Sequence, residues 1–133
     1  MILVDSSVWI DRLRGTRTRA FDALDTLVAE RPMEVAITEQ IQMELCAGAA
    51  PADVPAVEAL TASLVLLGVD PPTDFHAAAA MFRATRANGR IARKLADCLI
   101  ASVALRHDAE VWHRDADFEA IAAVTALRTF DLR

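Results

Sequence analysis

Short runs of consecutive apolar residues alternate along the chain with longer stretches whose apolar positions recur every three or four residues. Ile2-Leu3-Val4, Val35-Ala36-Ile37, Leu64 to Val69 and Val111-Trp112 form the first class, with a weaker member from Leu127 to Phe130. Runs this short, apolar throughout rather than at every second position, predict strands covered on both faces. The second class predicts helices over Ser7 to Leu13, Phe21 to Ala29, Thr38 to Cys46, Val57 to Ala62, Asp74 to Ala87, Lys94 to Arg106 and Phe118 to Val124. Asn88-Gly89 supplies a helix stop, because glycine accepts the left-handed backbone that ends many helices. The alanine-rich, proline-marked stretch from Ala47 to Pro55 reads as a loop. Strand and helix in alternation imply right-handed βαβ crossovers. The expected architecture is therefore α/β, with a central parallel sheet of four to five strands flanked by helices on both faces.

Composition narrows this to one domain. A chain of 133 residues is near the modal domain size, and its 54% hydrophobic content supplies ample core, so residues 1–133 are read as a single unit. No run reaches the ~18 apolar residues of a membrane helix, and no basic segment precedes an apolar signal core, which points to the cytoplasm. Cys46 and Cys98 lie far apart without a Cys-x-x-Cys or paired histidines, so both are read as packed thiols.

A net charge of −5 argues against broad polyanion binding, but the basic residues are unevenly placed. Arg12, Arg14, Arg17 and Arg19 form one segment, and Arg83, Arg86, Arg90, Arg93 and Lys94 form another. Either segment alone reads as a solvated face. Arg86, Arg90 and Arg93 are the candidates for holding phosphates if a polyanion is the substrate.

The acids carry more information. In an open parallel sheet, ligands bind beyond the carboxyl ends of the strands. Asp5 directly follows Ile2-Leu3-Val4, and Asp115 and Asp117 follow Val111-Trp112 in the same way. Glu44 flanks the inward stripe of the helix after the second strand. Asp97 stands in Leu95-Ala96-Asp97-Cys98-Leu99-Ile100-Ala101, a segment otherwise almost wholly apolar. Each acid has a structural explanation as a helix cap, a first-turn acid, a turn former or a solvated face. Convergence of four half-buried carboxylates has no such explanation, because they repel and each loses hydration. A divalent cation resolves it: Mg²⁺ and Mn²⁺ prefer oxygen ligands and need few from the protein.

The ordered set Ile-Leu-Val-Asp-Ser-Ser at the start, Glu44 on a helix, Leu95 to Ala101 around Asp97, and His113-Arg114-Asp115-Ala116-Asp117-Phe118 resembles the PIN-domain proteins, and most closely the VapC-type toxins of bacterial toxin–antitoxin pairs. The resemblance spans essentially the whole chain. It implies a metal-dependent endoribonuclease, a homodimer held inactive by a small VapB-type antitoxin. It also implies that Asp5, Glu44, Asp97 and Asp115 form the metal site, with Asp117 a fifth candidate. One departure stands out. Where the family often carries a small hydroxyl residue two places before the fourth acid, this chain has His113.

On this reading Mg²⁺ or Mn²⁺ orients a water on the scissile phosphate of RNA and leaves 5′-phosphate and 3′-hydroxyl ends, with no protein nucleophile. Asp5 and Asp97 are the leading direct ligands. Asp115 is assigned to the metal and Asp117 to capping the helix that begins at Phe118, while Ser6 and Ser7 are assigned to starting a helix rather than to the site. His76, His107 and His113 sit in unrelated contexts and are read as surface or satisfied residues. A phosphorelay receiver would need a lysine after the last strand, and the only lysine is Lys94. An aspartyl phosphatase would place an acid where Ser7 stands. The remaining alternative is a noncatalytic RNA- or protein-binding module on the same fold.

Overall fold

Ile2, Leu3 and Val4 are all buried, as are Val35, Ala36 and Ile37, and a strand reaches that state only when both faces are covered. The structure, a computed structural model, describes all 133 residues. In chain order its elements are β1 (Ile2–Val4), α1 (Ser6–Arg14), α2 (Arg19–Glu30), β2 (Val35–Ile37), α3 (Glu39–Gly48), α4 (Val54–Ser63), β3 (Val65–Leu66), α5 (Thr73–Ala87), α6 (Leu95–Arg106), β4 (Glu110–His113), α7 (Ala116–Ala122) and β5 (Thr129–Asp131). A 3₁₀ turn over Pro32–Glu34 leads into β2.

The sheet has five parallel strands in the order β3-β2-β1-β4-β5. Leu3 lies opposite Ala36 on one side and Val111 on the other. From β1 the chain moves outward through β2 to β3, then returns to β4 on the other side of β1. Right-handed crossovers therefore put α1 to α4 on one face and α5 to α7 on the other. The packing agrees: α1 meets α2 and α3, α3 meets α4, and α5, α6 and α7 meet one another. One core of 29 buried residues runs through the molecule, with Trp9, Leu24 and Ile41 on the first set of helices and Cys98, Ile100 and Phe118 on the second. Cys46 and Cys98 are free thiols, and burial pushes Cys98 up to about 11.

Two expectations need correction. The apolar run Leu64 to Val69 contributes only Val65–Leu66 as strand, because β3 is an edge strand with Leu66 half exposed, and Glu39 Oε2 captures the backbone N–H of Val69 as the chain leaves the sheet. The expected loop Ala47 to Pro55 shrinks at both ends, since α3 continues to Gly48 and α4 begins at Val54. Pro55 sits in the first helical turn, where the missing N–H removes no helical hydrogen bond.

Strand order reverses between β1 and β4, and crossovers leave that point toward opposite faces. The resulting crevice, at the carboxyl ends of β1 and β4, is where an open α/β sheet offers a ligand site. Asp5 and Asp115 both stand there.

Candidate functional site

Asp5 extends β1 by one residue: its backbone N–H donates to the Trp112 carbonyl at 2.9 Å, which holds it at the sheet edge. Its side chain caps α1, with Oδ2 accepting from the Ser7 backbone N–H at 3.1 Å and from Ser7 Oγ at 2.5 Å. The other oxygen, Oδ1, is buried and has no hydrogen-bond partner. Burial raises the Asp5 carboxyl above its ordinary pKa; Ser7 opposes the shift and the neighbouring Glu44 adds to it.

The two serines serve the site as well as opening a helix, which corrects the narrower expectation. Ser7 Oγ bridges Asp5 and the backbone N–H of Arg114, at 3.0 Å from the latter, and so ties the end of β1 to the turn after β4. Ser6 Oγ donates to Glu44 Oε2 at 2.6 Å, and Gln40 Nε2 to Glu44 Oε1 at 3.0 Å. Glu44 is thereby turned toward Asp5 from α3. Ile41 and Leu45 form the buried stripe beside it, whereas Gly48 is exposed.

Asp97 occupies the first turn of α6, where the helix dipole favours an acid, yet only 4% of it is exposed. Its Oδ2 makes no hydrogen bond and lies 3.5 Å from Lys94 Nζ. Burial, reinforced by the charge of Asp5, pushes its carboxyl up to about 7 despite the opposing lysine.

The helix cap expected of Asp117 falls to Asp115. The α7 helix begins at Ala116, so Asp115 is its N-cap: Oδ1 accepts the Asp117 N–H at 3.0 Å, and Oδ2 receives Lys94 Nζ. Although burial opposes its ionisation, the Asp117 N–H and the Lys94 ammonium hold Asp115 below the usual carboxylate range. Asp117 caps nothing. It is 2% exposed, and its Oδ2 accepts the backbone N–H groups of Arg93 at 2.8 Å and Lys94 at 2.9 Å, pinning the loop before α6. The turn begins earlier than the apolar pattern at Phe118 indicates, and that shift moves the cap from Asp117 to Asp115.

Carboxylate oxygens of Asp97, Asp115 and Asp117 all lie within 4.8 Å of one another. Asp5 stands beside this trio, close enough to raise Asp97 by repulsion, and Glu44 stands in the same relation to Asp5. The acids are thus linked from Glu44 through Asp5 to the trio.

His113 is fully buried. Its Nδ1 accepts the Asp115 N–H at 3.0 Å, and its Nε2 pairs with Glu119 Oε1 at 2.8 Å. Both ring nitrogens are occupied, so His113 is a satisfied residue, as the sequence implied, but one that supports the site. His76 and His107 are exposed.

The basic segments also separate. Arg12 pairs with Asp25, Arg17 with Asp22, and Arg19 lies over the Phe130 ring, so the first segment is largely engaged within the fold. In the second, Arg83, Arg86, Arg90 and Arg93 are exposed, and Arg93 and Lys94 border the acids directly. Sequence reasoning missed Lys94, Ser6, Ser7 and His113 as parts of the site. Lys94 carried a signal, as the one lysine in the chain, three residues before Asp97.

Residues 2–124 match the family described as PIN domain. The Mycobacterium tuberculosis protein "Ribonuclease VapC11" is 40% identical over 134 residues, covering all of both chains. The chain belongs to the PIN-domain family and, within it, to the VapC group. Among solved structures, VapBC2 from Rickettsia felis bound to a promoter DNA fragment matches with a TM-score of 0.75 at 14% identity over the whole of both chains. A toxin–antitoxin complex from Klebsiella pneumoniae matches with a TM-score of 0.67 at 22% identity, covering 98% of this chain and 99% of that one. These likenesses place the PIN fold across the full chain, including the crevice between β1 and β4.

Proposed function

We propose that this PIN-domain chain, as one nuclease unit over residues 1–133, is a metal-dependent endoribonuclease that acts as the toxin of a VapBC-type toxin–antitoxin pair. The observation that carries the reading is the acidic trio within 4.8 Å, in which Asp97 Oδ2 has no hydrogen-bond partner, together with the equally unpartnered buried Oδ1 of the neighbouring Asp5. Buried acceptors are seldom left unpaired, and a hard cation is the partner that an all-oxygen set suits. Softer ligands do not compete for it: Cys98 stays protonated, and both nitrogens of His113 are engaged. The donors fit Mg²⁺ or Mn²⁺.

Asp5, Asp97 and Asp115 would hold the ion, with Glu44 completing the shell from the α3 side. Asp117 is committed to the Arg93-Lys94 backbone and supports the set from beneath. A bound divalent ion supplies an activated water and offsets the charge growing on the scissile phosphate. The chain does the positioning. Ser7 fixes Oδ2 of Asp5 and leaves Oδ1 unpartnered, Ser6 and Gln40 orient Glu44, and His113 sets the turn of Asp115. Arg86, Arg90 and Arg93, exposed on the segment that leads into α6, would supply phosphate contacts for an RNA strand.

Partners follow from two apolar surfaces. A groove of about 520 Å³ between α1, α3 and α4, floored by Ile10, Leu45 and Val57 and ending at Glu44, is suited to a segment of a VapB-type antitoxin reaching toward the acids. Met43, Phe75 and Leu99 line a hollow on another side, where Met43 and Phe75 are more than half exposed, and this surface suits a homodimer. No helix is long and apolar enough to cross a membrane, and an RNA substrate agrees with a cytoplasmic site of action.

Purified protein incubated with total RNA and Mg²⁺ or Mn²⁺ should cut it, and excess chelator or Asp97→Asn should abolish cutting. RNA binding without cutting in either metal would instead support the noncatalytic module.

A further inference from the structure

Lys94 is held at two places. Its backbone N–H donates to Asp117 Oδ2 at 2.9 Å, which fixes the start of the side chain at the crevice. From there Nζ reaches Asp115 Oδ2 and lies 3.5 Å from Asp97 Oδ2. The ammonium thus stands between two of the carboxylates assigned to the ion. The side chain is 55% exposed, so solvent lies along the stem and nothing in the core traps it there.

We propose that Lys94 is a built-in cationic placeholder: its ammonium neutralises the crevice when no divalent cation is bound, and the ion must displace it from Asp115 and Asp97 in order to load. This rests on the metal-site reading above and adds a residue that opposes loading. Three carboxylates within 4.8 Å, with Asp5 beside them, would strongly destabilise a metal-free fold by repulsion, and one internal positive charge relieves part of that cost. Lysine suits the task better than arginine, because a compact charge on a flexible stem can withdraw by side-chain rotation alone. Asp117 holds the Lys94 backbone in place while that happens. A divalent ion carries twice the charge and takes several oxygens at once, so it wins the exchange, but at an apparent affinity lowered by the ion pairs it breaks.

Calorimetric titration of metal-free protein with Mn²⁺ tests this in wild type, Lys94→Met and Lys94→Arg, with folding verified by circular dichroism. Lys94→Met should bind Mn²⁺ about two- to fivefold more tightly, the scale of partly exposed ion pairs, while Lys94→Arg stays near wild type. Without metal, Lys94→Met should melt below wild type, and saturating Mn²⁺ should close that gap. A peripheral surface lysine would move neither quantity. Equal or weaker Mn²⁺ binding by Lys94→Met, with wild-type binding still abolished by Asp97→Asn, overturns the placeholder and leaves the metal site standing. Absence of Mn²⁺ binding in wild type and both variants overturns the metal site and the placeholder together.

Discussion

His113 Nδ1 accepts the backbone N–H of Asp115 across 3.0 Å, and this hydrogen bond sets the turn from which the Asp115 carboxylate emerges. The ring is locked from its other side, since Glu119 Oε1 takes Nε2 at 2.8 Å and also accepts from Thr129 Oγ at 2.7 Å. An N–H donated to Nδ1 requires that nitrogen to be bare, so the proton resides on Nε2 and points at Glu119. The small hydroxyl residue that the family often carries here could accept the same N–H, two residues on, through a shorter arm.

Exchanging His113 for Thr and for Leu separates the two duties of the ring. His113→Leu leaves the Asp115 N–H without its acceptor, so RNA cleavage and Mn²⁺ affinity should both fall. His113→Thr restores the acceptor and should recover most of each, while remaining less stable by about 0.5–3 kcal/mol because the shorter side chain leaves a void where the buried ring stood. Wild-type cleavage by the leucine variant would show that the turn holds itself.

Asp115 and Asp117 should differ in what their removal costs the fold. Asp117→Ala deletes two hydrogen bonds from backbone N–H groups to a buried carboxylate, each worth about 1.5–3 kcal/mol, and frees the loop before α6. Asp115→Ala deletes one cap, worth about 0.5–2 kcal/mol, and the partly exposed Lys94 ion pair, worth about 0–1 kcal/mol. Urea denaturation without metal should therefore rank Asp117→Ala as clearly the less stable. Asp117→Asn should fold well, because a single amide oxygen can still accept both N–H groups. The reverse ranking of the alanine variants would return the cap to Asp117.

The fold was largely legible because this sheet is buried on both faces, so Ile2 to Val4 and Val35 to Ile37 write themselves as unbroken apolar runs. Where burial ends, legibility ends with it: Leu64 to Val69 looks like a full strand, but pairing along an edge stops once the backbone turns to Glu39. The same division applies to the site. Asp5 and Asp97 were visible because a charge among apolar neighbours is anomalous in one dimension. Lys94 was not, since its sequence neighbours are arginines and its meaning lies in Asp115, 21 positions away. The Asp115 and Asp117 roles turned on where α7 begins, and a cap moved from Asp117 to Asp115 leaves almost no trace in an apolar pattern.

The exposed arginines between the end of α5 and the start of α6 should control RNA affinity rather than chemistry. Arg86 lies over the Phe82 ring at 4.5 Å, which steadies its guanidinium and leaves its hydrogen-bond donors free. Replacing Arg86, Arg90 and Arg93 by Ala should weaken binding of single-stranded RNA and flatten the log–log salt dependence by roughly 0.7 for each phosphate the protein no longer neutralises. Binding is best measured in Ca²⁺ or with Asp97→Asn, so that cutting does not interfere. An unchanged salt slope would assign the segment to the solvated surface, like Arg12, Arg17 and Arg19.

Asp97 gives the metal-free protein a pH dependence of definite sign. Its carboxyl is pushed from an ordinary 3.8 up to about 7 by burial and by Asp5, so folding favours the protonated form. For a raised pKa, the associated stability is complete below the unfolded value near 4 and is lost as pH rises through about 7. Asparagine keeps the shape and never ionises. The stability advantage of Asp97→Asn over wild type, read from urea midpoints in chelator, should therefore be smallest near pH 4, widen as pH rises to about 7, and level off above it. Other acids such as Asp74 and Asp131, which ion pairs hold below their ordinary values, act equally in both proteins and cancel from the difference. Saturating Mn²⁺ at pH 7.5 should stabilise wild type and narrow the gap, because the ion offsets the charge that asparagine removes. A gap that stays constant or shrinks with rising pH would mean that Asp97 is ionised throughout, with Lys94 compensating it fully.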